Sequence, residues 1–207
     1  MEVKDLNLSE TELKIIEAAK DIFIKKGMEG ARMQEIADAA GINKALLHYY
    51  FRSKEKLFEM IFKYVFSEVL RILFEVIDSD MGIEEKIRGF FDKHISFLKE
   101  NPYLPGFVMH ELARNPDLIV KNATNIKIDT IPHKFAEQVQ KGIDNGEIKE
   151  INPKHLIVNM MSLSVFPFAA APLIRTWMQI DENEYGKFLE ERKTFLPEFV
   201  IASIKKY

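Results

Sequence analysis

The side chains best placed to do chemistry lie within one short stretch near the N-terminus. Helical spacing turns Lys44, Ala45, His48 and Tyr49 toward one side of a predicted helix. Cationic, small and hydrogen-bonding aromatic side chains suit a helix in a DNA major groove, whose floor is formed by base edges and whose rims are phosphates. Lys54 follows at the start of the next predicted helix, where a lysine and unpaired backbone amides could hold one phosphate. These residues indicate non-covalent binding to nucleic acid.

A helix-turn-helix over residues 34–54 is predicted to position these side chains. Ile36 lies on the inner face of a first short helix, and Gly41 can adopt the positive φ that ends it. Asn43 can then cap a second helix, in which Leu47 turns inward at helical spacing. An ordinary helical hairpin has the same features, so this architecture alone leaves both DNA binding and a purely structural role open.

The fixed spacings around this turn extend over residues 40–57. Residues 40–43 are AGIN, residues 47–51 are LHYYF and residues 53–57 are SKEKL. Their order resembles the N-terminal signature of the TetR (tetracycline-repressor-like) transcriptional regulators, A-G-V-S-x-x-x-L-Y-x-x-F-x-S-K-E-x-L. The resemblance covers about the first quarter of the chain, and the remainder is similar to that family only in length and helical character.

The resemblance implies an all-α, twofold homodimer. A three-helix helix-turn-helix DNA-binding domain would occupy residues 1–54, and a helical ligand-binding and dimerisation domain residues 55–207. Such a protein is a transcriptional regulator, most commonly a repressor, that binds a (pseudo)palindromic DNA operator and is released or modulated by a small apolar or amphipathic ligand. The alternative is a ligand-binding or interaction protein whose helix-turn-helix no longer contacts DNA.

The resemblance also implies roles for individual residues. Lys44 and His48 are expected to meet base edges or nearby phosphates, and Arg32, Tyr49 and Lys54 to hold the DNA backbone. The full predicted set of DNA contacts is Arg32, Gln34, Asn43, Lys44, Ala45, His48, Tyr49, Tyr50 and Lys54.

Two positions depart from the family pattern. TetR proteins often have threonine or serine just before the first helix of the motif, where the hydroxyl caps the helix and touches phosphate, but this chain has Arg32 and Met33. Arg32 can replace the phosphate contact but cannot cap. The tyrosine that usually follows the leucine is His48 here. If this histidine must carry a proton to bind, DNA affinity falls from mildly acidic to alkaline pH.

The composition is that of an ordinary folded protein, with 47% hydrophobic and 29% charged residues. The net charge of −3 does not favour nucleic-acid binding, and residues 1–56 contain equal numbers of basic and acidic side chains. Positive charge is nevertheless concentrated in residues 41–56, where Lys44, Arg52, Lys54 and Lys56 are opposed only by Glu55. The absence of cysteine fits a reducing cytoplasm, and the polar, acidic N-terminus does not look like a targeting peptide. We therefore expect a cytoplasmic protein.

Helical periodicity continues through the rest of the chain. Helices are predicted over residues 9–27, 53–77, 83–100, 107–114, 153–174 and 181–205. A further helix, which Pro132 starts or interrupts, is predicted to end at about residue 142. Residues 155–174 carry no charge, but Pro167 and Pro172 interrupt them, so a helix in a core or between subunits is predicted rather than a membrane span. The last two helices are predicted to pair with their twofold copies as a four-helix bundle.

Other chemical signals are sparse. None of the five histidines forms a metal-ligand pair on a helix face, and the sequence has neither a serine-hydrolase elbow nor a phosphate-binding glycine loop. We therefore expect neither an enzyme nor a metal or cofactor site, and interpret His94 and His110 as partly buried structural residues. Many Phe and Met residues follow residue 55, which together with the resemblance favours a ligand cavity, although core filling explains each of them singly. The predicted lining is Phe66, Phe91, His94, Phe107, His110, Met160 and Ser164.

Overall fold

The computed structural model describes residues 9–77, 79–114 and 130–206, and these ranges are predominantly helical. The all-α fold predicted from the sequence is confirmed. The helices are α1 (Glu10–Gly30), α2 (Met33–Ala39), α3 (Lys44–Tyr50), α4 (Lys54–Ile77), α5 (Ile83–Glu100), α6 (Leu104–Arg114), α7 (Thr130–Asp144), α8 (Pro153–Ala169), α9 (Ala171–Met178) and α10 (Glu182–Ile204).

The described residues fall into two compact units. The first contains residues 9–69 and 110–114, and the second contains residues 70–77, 79–109 and 130–206. The chain therefore passes from the first unit to the second within α4 and returns within α6. The functional boundary at residue 54 remains a prediction, since it divides roles rather than packing.

The first unit is organised around the buried face of α1. Ser9 and Glu12 form a capping box at the start of α1, and Gly27 interrupts the helix with a φ of 66°. Phe23 packs edge-on against Phe58 of α4, with ring centroids 5.1 Å apart. The small helix-turn-helix core therefore leans on α4, as expected for three short helices. The other buried side chains of this unit include Ile15, Ile16, Ala19, Ile36, Ala37, Leu47, Leu57, Ile61 and Phe62.

The second unit is built on α5, which packs along α10, with α8 against both. The residues on the inner face of α5 are buried, and they are Ile87, Phe90, Phe91, His94, Ile95 and Leu98. Charged side chains join α5 and α10 at the rim. The ammonium of Lys193 lies 3.9 Å from Asp92 and 2.9 Å from Glu190. Arg88 also pairs with Glu198 across these helices.

The uncharged residues 155–174 were predicted to lie in one helix, but the structure divides them between two. Helices α8 and α9 meet at a bend of 79°. Pro172, in the first turn of α9, cannot donate a backbone hydrogen bond to the preceding helix, so a new helix begins there. In the described part of the chain, no single helix is long and apolar enough to cross a membrane; α8 and α9 pass that test only as a bent pair.

Side chains of α10 complete the hydrogen bonding of α8. Pro167 has no N–H, which leaves the carbonyl of Leu163 without its helical donor. Arg192 donates to that carbonyl from Nη2 at 2.9 Å. The hydroxyl of Tyr185 donates to the carbonyl of Pro167 at 2.5 Å, near the end of α8. The backbone defect within α8 is therefore repaired by a neighbouring helix.

Two predicted boundaries change in the described residues. Helix α6 begins at Leu104 rather than Phe107, because a proline in the first turn needs no backbone donor. The helix predicted to end near residue 142 is Thr130–Asp144. Gly146 then turns with a φ of 77°, and Asn152 caps α8 by accepting from the N–H of Lys154 at 2.9 Å. The sequence also predicts that Asn115 and Pro116 end α6, and these two residues lie outside the described residues.

Candidate nucleic-acid interface

The turn between α2 and α3 has the predicted geometry. Gly41 adopts a φ of 68°, which an L side chain would strain. The N–H of Ile42 then donates to the carbonyl of Ala37 at 3.0 Å and closes the turn. The side-chain oxygen of Asn43 accepts from the N–H of Leu46 at 2.8 Å, so α3 starts with a satisfied cap. Leu47 is fully buried and fixes which side of α3 faces the core.

The opposite side of α3 is exposed. Lys44, Ala45, His48 and Tyr49 all face solvent, as predicted, and the side chain of Tyr49 is 78% exposed. Tyr50 is only half-buried, and its ring meets that of Tyr49 edge-on with centroids 5.4 Å apart. This contact restrains the orientation of an otherwise exposed aromatic side chain.

Leu46 is a surface residue that the sequence interpretation missed. It is 37% exposed on α3, between Ala45 and the buried Leu47. The sequence could have indicated this exposure, because adjacent residues of a helix point in different directions and Leu47 already faces the core. The exposed surface of α3 is therefore more apolar than the predicted contact set suggests.

The predicted DNA contacts at the start of α2 and α3 are exposed. Arg32 is exposed at the N-cap of α2, and its side chain makes no capping hydrogen bond. Gln34 is also exposed, and its side-chain amide donates to the carboxylate of Asp38 at 2.7 Å. Because Asn43 uses its side-chain oxygen as a cap, its side-chain NH₂ is the group left to meet DNA.

Lys54 ties two parts of the first unit together. Its ammonium donates to the backbone carbonyl of Ala31 at 3.3 Å, just before α2. Ser53 caps α4, because its hydroxyl accepts from the N–H of Lys56 at 3.2 Å. A backbone N–H and the Ser53 hydroxyl lower the pKa of Glu55, so this N-terminus already has an ionised carboxylate beside it. A phosphate at this corner would compete with Glu55, and Lys54 is the group that would favour it.

The cations around α3 are available for a partner. Within residues 9–77, 79–114 and 130–206, the side chains of Arg32, Lys44, Arg52 and Lys56 form no ion pair. Lys26, by contrast, is paired with Glu35 of α2. Unpaired cations next to a protruding helix are the electrostatic footprint of a nucleic-acid interface, even on a unit with balanced charge.

Two of the predicted pocket residues meet in the second unit. The hydroxyl oxygen of Ser164 lies 3.0 Å from the carbonyl oxygens of both Met160 and Met161, to which its one proton can be donated. The same oxygen forms a 3.0 Å hydrogen bond with Nδ1 of His94. Phe90 flanks the imidazole at 5.2 Å. Burial lowers the pKa of His94 to about 4, so this histidine is neutral near pH 7.

The other predicted pocket residues are distributed between the units. Phe91, Phe107 and Met160 are buried in the second unit. Phe66 is half-buried and belongs to the first. The structure therefore joins His94 with Ser164 through a hydrogen bond, and the common pocket remains a prediction.

His110 was expected to be partly buried, but it is exposed. Its side chain is 64% exposed in the first unit, whereas the neighbouring Glu111 is buried. Successive helical residues point in directions about 100° apart, and the sequence alone did not indicate which of the two faces inward. The Oε1 atom of Glu111 has no hydrogen-bond partner and lies 4.0 Å from Nε2 of His110. No group of three potential metal ligands occurs in the portion of the chain described.

Comparison with known proteins identifies similar regulators. The family model described as bacterial regulatory proteins, tetR family, matches residues 15–61. The probable HTH-type transcriptional regulator YttP of Bacillus subtilis (strain 168) is 26% identical over 192 residues, 90% of this chain and 92% of that protein. The HTH-type transcriptional regulator RutR of Escherichia coli (strain K12) is 27% identical over 143 residues, 69% of this chain and 66% of that protein.

A solved structure extends the similarity to the fold of the whole chain. The ketosteroid transcriptional regulator KstR2 of Mycobacterium tuberculosis has a TM-score of 0.69 with this chain at 16% sequence identity. The match covers 97% of this chain and 98% of the other. At that identity the likeness concerns the fold alone.

Proposed function

We propose, from the membership of this chain in the TetR family of helix-turn-helix transcriptional regulators, that it represses transcription by binding a (pseudo)palindromic operator as a homodimer. The observation that carries this proposal is the exposed side of α3. A capped turn presents Lys44, Ala45, His48 and Tyr49 to solvent, and nearby cations have no ion-pair partner among the described residues. This is the arrangement that entry into a major groove requires.

In the proposed complex, the contacts divide by position. Lys44 and His48 meet base edges or nearby phosphates, since both extend from the exposed side of α3. Arg32, Tyr49 and Lys54 hold the DNA backbone, and the half-buried Tyr50 supports Tyr49. Phosphate contacts position the protein, whereas contacts in the groove supply sequence preference.

Dimerisation follows from the shortness of α3. A helix of this length touches few base pairs, so a twofold dimer that reaches two half-sites about 34 Å apart is needed for a specific operator. Exposed apolar side chains on the last long helices support a four-helix interface through α8 and α10. They are Val158 and Phe166 on α8, and Phe195 and Phe199 on α10.

The second unit is proposed to bind a small apolar or amphipathic effector. The neutral His94–Ser164 pair supports this proposal, because it places a polar group beside buried Phe and Met side chains. To act as an inducer, the effector must prefer the state that does not bind DNA. A shift from 1:99 to 99:1 in favour of that state requires roughly 5.5 kcal/mol of differential affinity.

The test is a salt titration of DNA binding with matched lysine variants. Purified protein is titrated onto the DNA upstream of its own gene and onto random duplex. Lys54→Ala should weaken binding to both and reduce the slope of log K against log salt by about 1, whereas Lys44→Ala should also change sequence preference. Lys187→Ala, which removes an exposed lysine in the second unit, serves as the control and should change neither quantity.

One alternative has support of its own. Residues 1–56 carry balanced charge, and α2 lacks a side-chain cap, as in a helix-turn-helix that no longer contacts DNA. If DNA binding is weak, independent of sequence and unaffected by Lys44→Ala and Lys54→Ala, the chain is instead a ligand-binding or interaction protein. An equal loss on specific and random DNA for Lys44→Ala would remove only its role in base contacts.

A further inference from the structure

The centre of the exposed side of α3 carries a methyl group and an aromatic ring rather than a charged side chain. With about 100° of rotation per residue, Ala45 and Tyr49 each lie about 160° from the buried Leu47. Both are exposed, and they therefore mark the line of α3 that protrudes farthest from its core contact. The same rotation places Leu46 and His48 about 100° from Leu47, on opposite flanks.

The polar donors of α3 are displaced from that line. Lys44 lies only about 60° from the direction of Leu47, so its ammonium reaches the groove from the side of the helix. At the point where α3 would come closest to the base pairs, the side chain of Ala45 is a methyl group. The exposed Leu46 extends this apolar surface toward one flank.

The chemistry of the major groove limits what such a surface can recognise. Each base pair presents hydrogen-bonding groups there, and the apolar group among them is the C5-methyl of thymine. An alanine methyl cannot satisfy a donor or an acceptor, so a base edge that presents only polar atoms would lose water against Ala45 without compensation. A thymine methyl would instead exchange water for an apolar contact.

We propose that each operator half-site places a thymine opposite Ala45, with its C5-methyl packed against Ala45 and Leu46. Tyr49 is held beside this contact by the edge of the Tyr50 ring and limits how far the helix can shift along the groove. This inference rests on the proposed function, and it assigns recognition of an A·T pair to an apolar patch rather than to a charged side chain.

The experiment removes single methyl groups from DNA. Binding sites are first selected by the purified protein from a random duplex pool, and the preferred site is resynthesised with deoxyuridine in place of each thymidine in turn. Deoxyuridine pairs as thymidine does and lacks only the methyl. Burial of one methyl group predicts about four-fold weaker binding at one thymine of each half-site, and little change at the others.

A second variant assigns the contact to Ala45. In Ala45→Gly the thymine-to-uracil ratio at that position should fall from about four-fold to less than two-fold, because one of the two protein groups that pack against the methyl is gone. The ratio compares two duplexes on the same protein, so a loss of helix stability cancels. Lys54→Ala, which should weaken both duplexes equally, is the control that keeps the ratio.

The outcomes separate this inference from the proposed function. Selection of a preferred site whose affinity is unchanged by every uracil would overturn the inference and leave the regulator intact. An unchanged ratio in Ala45→Gly would also overturn it, since the methyl would then contact another residue. Failure to enrich any sequence would overturn both proposals together.

Discussion

The two units use their polar side chains in different ways. In the first, the polar and aromatic side chains of α3 face solvent above a small core. In the second, His94 bonds to Ser164 inside the core, and Arg192 donates to a backbone carbonyl of α8. The polar side chains of α3 are thus available to a partner, whereas His94 and Arg192 hold helices together. Substitution of the exposed α3 side chains should therefore change binding, and substitution of His94 or Arg192 should change stability.

The strongest test of this comparison removes one core leucine from each unit. Leu47 and Leu98 are both buried, and truncation to alanine should lower the free energy of unfolding by about 2–5 kcal/mol in either case. Leu47→Ala also removes the contact that orients α3, so it should abolish specific DNA binding well below the unfolding temperature. Leu98→Ala should retain that binding. Thermal unfolding and DNA titration at one low temperature measure the two effects.

Equal loss of DNA binding in the two variants would contradict this separation. It would mean that the second unit's core is needed to hold α3 in its binding orientation. Circular dichroism at the same temperature is the necessary control, because it shows whether each variant is still folded when DNA is added.

The second prediction concerns pH and the buried imidazole. The pKa of His94 is lowered from 6.5 to about 4 by burial. Between these values the unfolded chain binds a proton that the folded chain does not, so stability present above pH 6.5 is lost as the pH falls toward 4. The loss should approach about 3 kcal/mol. It is measured by denaturant unfolding between pH 7 and pH 4.

A glutamine variant isolates this contribution. His94→Gln keeps a hydrogen-bonding side chain but does not titrate, so its stability should change less over the same pH interval. His133→Gln alters an exposed histidine of α7 and should leave the pH dependence as it was. An unchanged slope in His94→Gln would assign the acid sensitivity to other groups.

The helix-turn-helix was predictable from the sequence because its determinants are local. Gly41, Asn43 and Leu47 act over a few residues, and their turn, cap and core contact occur as predicted. The exposure of Leu46 was not predicted, because it follows from the position of Leu46 beside the buried Leu47 and not from its residue type.

The second unit was less predictable because its determinants are distant in sequence. His94 was expected to be partly buried and is almost fully buried, but its bond to Ser164 joins residues 70 positions apart. The uncharged stretch was interpreted as one helix interrupted by Pro167 and Pro172, whereas the structure ends α8 at Ala169 and begins α9 at Ala171. Pro167 lies inside α8, and Arg192 of a distant helix supplies a donor to the carbonyl that the proline leaves unpaired, which no local pattern reveals.

The third prediction tests that compensation by a double-mutant cycle. Arg192→Leu removes the donor to the carbonyl of Leu163 and should lower the free energy of unfolding by about 1–2 kcal/mol. Pro167→Ala restores a backbone N–H that can reach the same carbonyl. In the Pro167→Ala background, Arg192→Leu should therefore cost less than in the original protein. Additive effects of the two changes would mean that Arg192 acts mainly through its contact with the Phe188 ring.

The smallest effect is expected at the start of α2, where stability and binding should move in opposite directions. Arg32 has the extended backbone of an N-cap residue but no capping bond, so Arg32→Ser should raise the free energy of unfolding by about 0.5–1 kcal/mol. The same change removes a proposed phosphate contact and should lower the salt slope by about 1. Asn43→Ala is the matched control, because it deletes an existing cap and should weaken both stability and binding. If Arg32→Ser stabilises the protein and leaves DNA affinity unchanged, Arg32 does not contact phosphate. Opposite signs at Arg32, beside parallel losses at Asn43, would show that α2 begins with a residue retained for binding at the expense of its cap.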